Sequence, residues 1–134
     1  MAVSINRVIA DGAQNATIEF VSTGTGGGEG GTIIDVSTLS GANGSGNEKV
    51  RVTRAQVIVA GEEMGVSLIW GGAGAVFLTM PPGSYDIPIV CDPVSGTNTL
   101  IGYSCVGNSP FTLRLFLEKL NGFPGSMAKF NRIL

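Results

Sequence analysis

Between residues 50 and 90 the chain is a succession of short apolar-rich runs separated by glycine and proline, and that spacing leaves few ways of folding it. The runs are VRVTRAQVIVAG, VSLIW, AVFLTM and YDIPIV, with GGAG and PPGS between the later ones. None shows the recurrence of a helix face, and each has the length and the β-branched or aromatic content of a strand. The segment predicts a β-meander. Further strands are predicted at about 3–10, 17–22, 32–36, 99–106 and 111–119, with a short turn of helix at 37–39. Two loops rich in Gly, Asn and Ser, GTGGGEGG at 24–31 and SGANGSGNE at 40–48, are costly to order and are expected at an edge or a contact surface.

The alternation within these runs assigns faces. Phe111, Leu113, Leu115 and Leu117 fall on one side of the last strand and Thr112, Arg114 and Glu118 on the other, with Phe116 interrupting the polar side. Tyr85, Ile87, Ile89 and Cys91 alternate against Asp86 and Pro88, and a proline inside a strand places it at a sheet edge. Eight or nine strands are too many for one open sheet in a chain of 134 residues. The predicted fold class is therefore all-β: an antiparallel two-sheet sandwich, jelly-roll-like, or a flattened barrel. Its core is drawn from Ile5, Ile18, Phe20, Val57, Val66, Leu68, Val76, Leu78, Ile87, Ile89, Leu113, Leu115 and Leu117.

Composition narrows the chemistry. Charged residues make up only 13%, against about 25% in an average domain, and the chain carries 21 glycines and a net charge of −2. Weak charge repulsion favours association and argues against nucleic acid as a partner, which requires a concentrated cationic surface. No run approaches the length of a membrane span and no secretory signal is evident, so the expectation is a cytoplasmically made protein without a membrane partner. On that expectation the sequons at Asn15 and Asn43 carry no weight, and Cys91 and Cys105, on strands expected to be neighbours, are read as reduced.

Histidine is absent, which removes Ser-His-Asp and Cys-His catalysis and the commonest metal ligand. Gly26, Gly28 and Gly31 satisfy GxGxxG formally, but six glycines in eight residues make the match uninformative and TIIDVST after it does not form a helix. Glu62 and Glu63 are adjacent, point apart and are expected at a solvated hairpin tip. Asp86 and Asp92 flank an edge strand without a calcium-loop pattern. Trp70, Tyr85 and Tyr103 would suit a sugar-stacking platform if exposed, but Trp70 closes the apolar set Val66, Leu68, Trp70 and is expected in the core. The sequence thus predicts no catalytic residue, no metal and no cofactor, and no enzyme.

The carboxyl end breaks the pattern. From residue 119 onward there is no acid, three cations appear at Lys119, Lys129 and Arg132, and apolar residues are dense. With Ser126 as a cap, Met127, Phe130 and Ile133 or Leu134 share a helical face. The division expected is a β-sandwich domain at 1–120 and a carboxyl-terminal arm or helical turn at 121–134. Such a segment either closes the sandwich or docks on a partner. In the second case Phe123, Met127, Phe130 and Leu134 fill apolar pockets while Lys129 and Arg132 meet acids at the rim, and a chain ending at Gly122 keeps its fold.

TIEFVSTGTGGGEGGTIIDVSTLSGA at 17–42, EKVRVTRAQVIVAG at 48–61, VSLIWGGAGAVFLTMPPGSYDIPI at 66–89 and FTLRLFLEKLNGF at 111–123 together resemble small virion structural proteins of tailed bacteriophages, notably those of marine and cyanobacterial hosts. The resemblance covers most of the chain and its motifs are structural. It implies a capsid decoration, or cement, protein located in the virion, partnered with the major capsid protein and self-associating as a trimer. The alternative it leaves is a phage tail or host-adhesion β module that binds surface carbohydrate through Trp70, Tyr85 or Tyr103; a small hydrolase lacking histidine is the weakest reading.

Overall fold

A computed structural model of the chain describes residues 3–22, 29–60, 65–106 and 110–123. Nine strands form two antiparallel sheets: β1 (Val3–Asp11), β2 (Asn15–Ser22), β3 (Glu29–Asp35), β4 (Val50–Val59), β5 (Gly65–Trp70), β6 (Ala75–Met80), β7 (Gly83–Cys91), β8 (Leu100–Val106) and β9 (Phe111–Lys119). One sheet has the order β1-β2-β9-β4-β7, the other β3-β8-β5-β6, and they pack as a sandwich. A 3-10 turn at Val36–Thr38 follows β3, one residue earlier than expected. Asp35 sets that start, accepting hydrogen bonds from the Ser37 amide (3.1 Å) and hydroxyl (2.6 Å). The Ser37 hydroxyl is also the main reason its carboxyl sits below the usual range.

The strands lie close to where the sequence places them, and the β5–β6 hairpin of the expected meander is present. The rest of the meander is not: β4 pairs with β7 and β9, and β5 pairs on its other side with β8. The turn after Met80 shows why. Pro81 and Pro82 have no amide hydrogen to extend a ladder, so the chain leaves the four-stranded sheet and β7 joins the other one. Glu62 and Glu63 are outside the described residues; β4 and β5, the strands before and after them, lie in different sheets. β3 also begins earlier than expected, so Gly30 and Gly31 are strand residues. β7 lies at a sheet edge, as Pro88 requires. Cys91 and Cys105 belong to different sheets, contrary to the neighbouring strands expected, and both are thiols.

Most of the anticipated core is buried, with additions from β3, β8 and the start of β4. Phe20 and Phe111 from one sheet meet Tyr103 from the other at ring centroid distances of 5.1 and 5.4 Å, an aromatic clasp across the sandwich. Trp70 is 2% exposed and stacks on Phe77 at 4.4 Å, which bears out its assignment to the core. Leu78 and Ile89 are half-buried against the core and Ile87 is half-buried on the edge strand; Ile5 is outside the described side chains. Val76 is the correction: it is 55% exposed. A register shift pairs Leu68 with Leu78 but Ile69 with Val76, so Phe77 is an extra residue and the strand's parity inverts there.

β9 is the middle strand of the five-stranded sheet, and its end is fixed by a buried ion. Lys119 has no exposed side-chain surface; its ammonium donates to Asp11 Oδ1 (2.5 Å) and to the carbonyls of Gly12 (2.5 Å) and Ser40 (2.6 Å). Three donors meet three acceptors, the arrangement that lets a buried charge persist. The Phe123 ring lies 5.4 Å from the same nitrogen. Phe123 is 2% exposed and belongs to this chain's own core, which corrects its expected place on an arm. Residues 121–123 are therefore body, not arm: Lys49 N–H donates to Asn121 O and Asn43 N–H to Gly122 O. Gly122 takes a φ of +85°, and a Cβ there would lie 2.7 Å from Glu48 Cα, so only glycine turns the chain so that Phe123 enters.

Replacing Lys119 with Met, which keeps the stem and removes the charge, is expected to cost about 2–4 kcal/mol of unfolding free energy in urea titration. A loss below about 0.5 kcal/mol would show that the ammonium is incidental. A chain ending at Gly122 is likewise expected to melt at lower temperature than one ending at Phe123.

Candidate functional site

The two outer faces of the sandwich differ in chemistry. Across the five-stranded sheet one cross-strand row reads Arg7, Glu19, Arg114, Gln56, Asp86, with each residue directly opposite the next. Glu19 pairs with Arg7 (2.6 Å) and Arg114 (3.1 Å), and Arg54 grips Asp86 through two bonds of 2.8 and 2.7 Å. Nearer the strand ends Arg51 joins Asp92 and Glu118. Phe116, the residue that breaks the polar alternation of β9, faces outward under the Arg54 guanidinium at 5.7 Å. Every charge named in this row and around it has an opposite partner.

The four-stranded sheet presents the opposite character. Two neighbouring rows of its outward residues are Gly30, Ser104, Ser67, Thr79 and Thr32, Gly102, Ile69, Val76. None is ionisable, and the acids of β3, Glu29 and Asp35, stand at the two ends of that strand. Ser67 and Thr79 hydroxyls lie 3.2 Å apart, satisfying one another without a charge. Glycines and small hydroxyl residues make up most of these two rows, with Ile69 and Val76 as the larger apolar side chains.

A shallow groove of about 250 Å³ runs over the ion-paired face, lined by Glu19, Gln56, Ile58, Tyr85, Asp86 and Arg114 among others. Its carboxylates are held in the charged form. Hydrogen bonds from Arg114 and then Arg7 hold Glu19 below the usual carboxylate range, and the Arg54 bond does the same for Asp86. Both stay ionised at neutral pH, so neither is tuned to deliver a proton. Asp92 is likewise paired with Arg51, and among the described residues no group of three His, Cys, Asp or Glu converges on a metal position. No helix among the described residues is long and apolar enough to cross a membrane.

The sugar-stacking platform is not assembled. Trp70 and Tyr103 are each 2% exposed, and half-buried Tyr85 donates its hydroxyl to the Pro81 carbonyl at 2.9 Å. Of the predicted interface residues, Phe123 is in the core, and Met127, Lys129, Phe130, Arg132 and Leu134 lie outside the described residues. No known protein family, no curated protein and no solved structure matches this chain.

The depressed Glu19 and Asp86 give a pH signature. Each is ionised in the folded state at a pH where its unfolded counterpart already binds protons, so its contribution is complete above the ordinary carboxylate range and is lost as pH falls through the lowered folded values. The urea midpoint is expected to be flat from about pH 7 to 5 and to drop as pH falls through and below the ordinary carboxylate range, with a shallower drop in Glu19→Gln. An identical acid limb in wild type and Glu19→Gln would contradict the assignment.

Proposed function

We propose that this chain is a structural virion protein of a tailed bacteriophage, a capsid decoration or cement protein that binds the outer head surface through its four-stranded sheet and steadies contacts between major capsid subunits, self-associating as a trimer. The observation that carries the reading is the outer face of that sheet, two cross-strand rows without an ionisable side chain, on a molecule whose opposite face is laced with ion pairs. A face built to be covered by protein avoids charges that would be stripped of water without a partner, whereas a face left in solvent gains solubility from them. The strand orders β2-β9-β4-β7 and β3-β8-β5-β6 are those that two interlocked Greek keys produce, which supports a jelly-roll reading of the sandwich, an architecture common among viral capsid domains. Fold alone does not assign function, and the resemblance of 17–42, 48–61, 66–89 and 111–123 to phage virion proteins supplies the rest.

Cementing needs no catalysis. A protein that binds the assembled lattice and not the free subunits raises lattice stability by its binding free energy at every occupied site. Particle composition tests this directly: the protein should be present in proportion to the major capsid subunits, and a few copies per particle, as in a tail or neck ring, would overturn it.

Paired substitutions test the face. Val76, 55% exposed, and Ile58, 57% exposed on the ion-paired sheet, are both surface positions where lysine is compatible with folding. Val76→Lys is expected to weaken capsid binding by about tenfold or more, while Ile58→Lys leaves it unchanged, both with the wild-type melting temperature. Equal binding by both variants would remove the four-stranded sheet from the interface.

A further inference from the structure

At the end of the sandwich where β4 begins, two buried side-chain oxygens lack any partner in the protein: Glu48 Oε1 and Thr97 Oγ1. Glu48 is 0% and Thr97 8% exposed. Both line the same cavity of about 10 Å³, together with Lys49, Trp70 and Asn98. The other Glu48 oxygen accepts the Gly44 amide, at 3.1 Å, and the Lys49 ammonium donates to the Thr97 carbonyl. Adjacent opposite charges thus reach one small chamber without meeting each other. Buried carboxylates and hydroxyls are rarely left unsatisfied, because the desolvation of each is then uncompensated.

We propose that this cavity binds one ordered water molecule that joins Glu48, Lys49 and Thr97 and latches the 93–99 connection to the start of β4. The volume is that of a single water, which needs about 10–15 Å³ and two to four polar partners. The partners are complementary to a water and not to a cation. Glu48 Oε1 accepts one of its hydrogens, the Thr97 hydroxyl accepts the second or donates in turn, and the Lys49 ammonium supplies a donor. A metal ion would stand against that ammonium with a single carboxylate to hold it. The pair becomes a water-mediated ion pair, in which half-buried Lys49 reaches buried Glu48 without direct contact.

The latch has a structural purpose. The 93–99 connection has backbone bonds to the β5–β6 turn, Asn98 N–H to Gly71 O at 2.9 Å, and to itself, Thr97 N–H to Val94 O at 3.1 Å. Lys49 ties it to the start of β4. A water between Glu48 and Thr97 makes that tie two-pronged and closes the sandwich over Trp70 and Val50.

A crystal structure of the full chain at a resolution that shows ordered water tests the proposal without any variant. The expected result is a peak within hydrogen-bond distance of Glu48 Oε1 and Thr97 Oγ1. A direct Glu48 to Lys49 contact with no peak would overturn it, as would a peak at metal-ligand distances of about 2.3–2.6 Å that disappears after chelation. In solution, Glu48→Gln, Thr97→Val and the double variant should be non-additive in urea midpoint, the double losing little more than the worse single. Strict additivity would overturn the bridge.

Discussion

The Lys119 ammonium is the constraint on which the register of the five-stranded sheet depends. β9 lies between β2 and β4, so any slip in it is transmitted to both neighbours. Side chains in a strand alternate with a period of two, and a one-residue slip would exchange every inward and outward residue of β9. It would also carry Lys119 away from Asp11 and the carbonyls of Gly12 and Ser40 and drive Glu118 inward. Hydrophobic pattern alone penalises that slip in proportion to buried area; a buried cation with three fixed acceptors penalises it in one place and sharply. The same ion gathers the β1–β2 turn, the chain after the 3-10 turn and the end of β9 around Phe123, so one end of the sandwich is organised by a charge and its middle by the Phe20, Tyr103 and Phe111 clasp.

With charges so few, their placement is informative. Among the described residues the arginines cluster on one face, and each is neutralised there: Arg7 and Arg114 by Glu19, Arg54 by Asp86, Arg51 by Asp92 and Glu118. Exposed pairs of this kind contribute little stability. Their effect is to keep the outer face of that sheet wet. The middle of the other sheet presents two rows of Gly, Ser, Thr, Ile and Val, the feature on which the proposed capsid role rests.

Strand positions were legible in the sequence because alternation and turn residues are local signals, and Pro88 even gave the edge position of β7. Beyond the β5–β6 hairpin, partners were not legible, since alternation reports which way a side chain points and not which strand lies beside it. Val76 was misassigned because a bulge opposite Ile69 inverts parity, and a bulge has no reliable mark in AVFLTM. Two signals were present and unread. The inward series Phe111, Leu113, Leu115, Leu117 continues by parity to Lys119, and Val52, Val50 continues back to Glu48. Charged residues at inward positions mark buried polar sites more specifically than any motif in this chain. Phe123 was assigned to an arm because its neighbours in sequence resemble one, whereas Gly122 turns it into the core.

The central claim is that the uncharged sheet face is the one covered in the particle. Hydroxyl-radical footprinting of the protein free and bound to expanded capsids measures this side chain by side chain. The account predicts that labelling of Ile69, Val76 and Thr79 falls on binding while that of Ile58 and Phe116 on the ion-paired face stays at its free level. Protection of Ile58 and Phe116 with Val76 still labelled would contradict it.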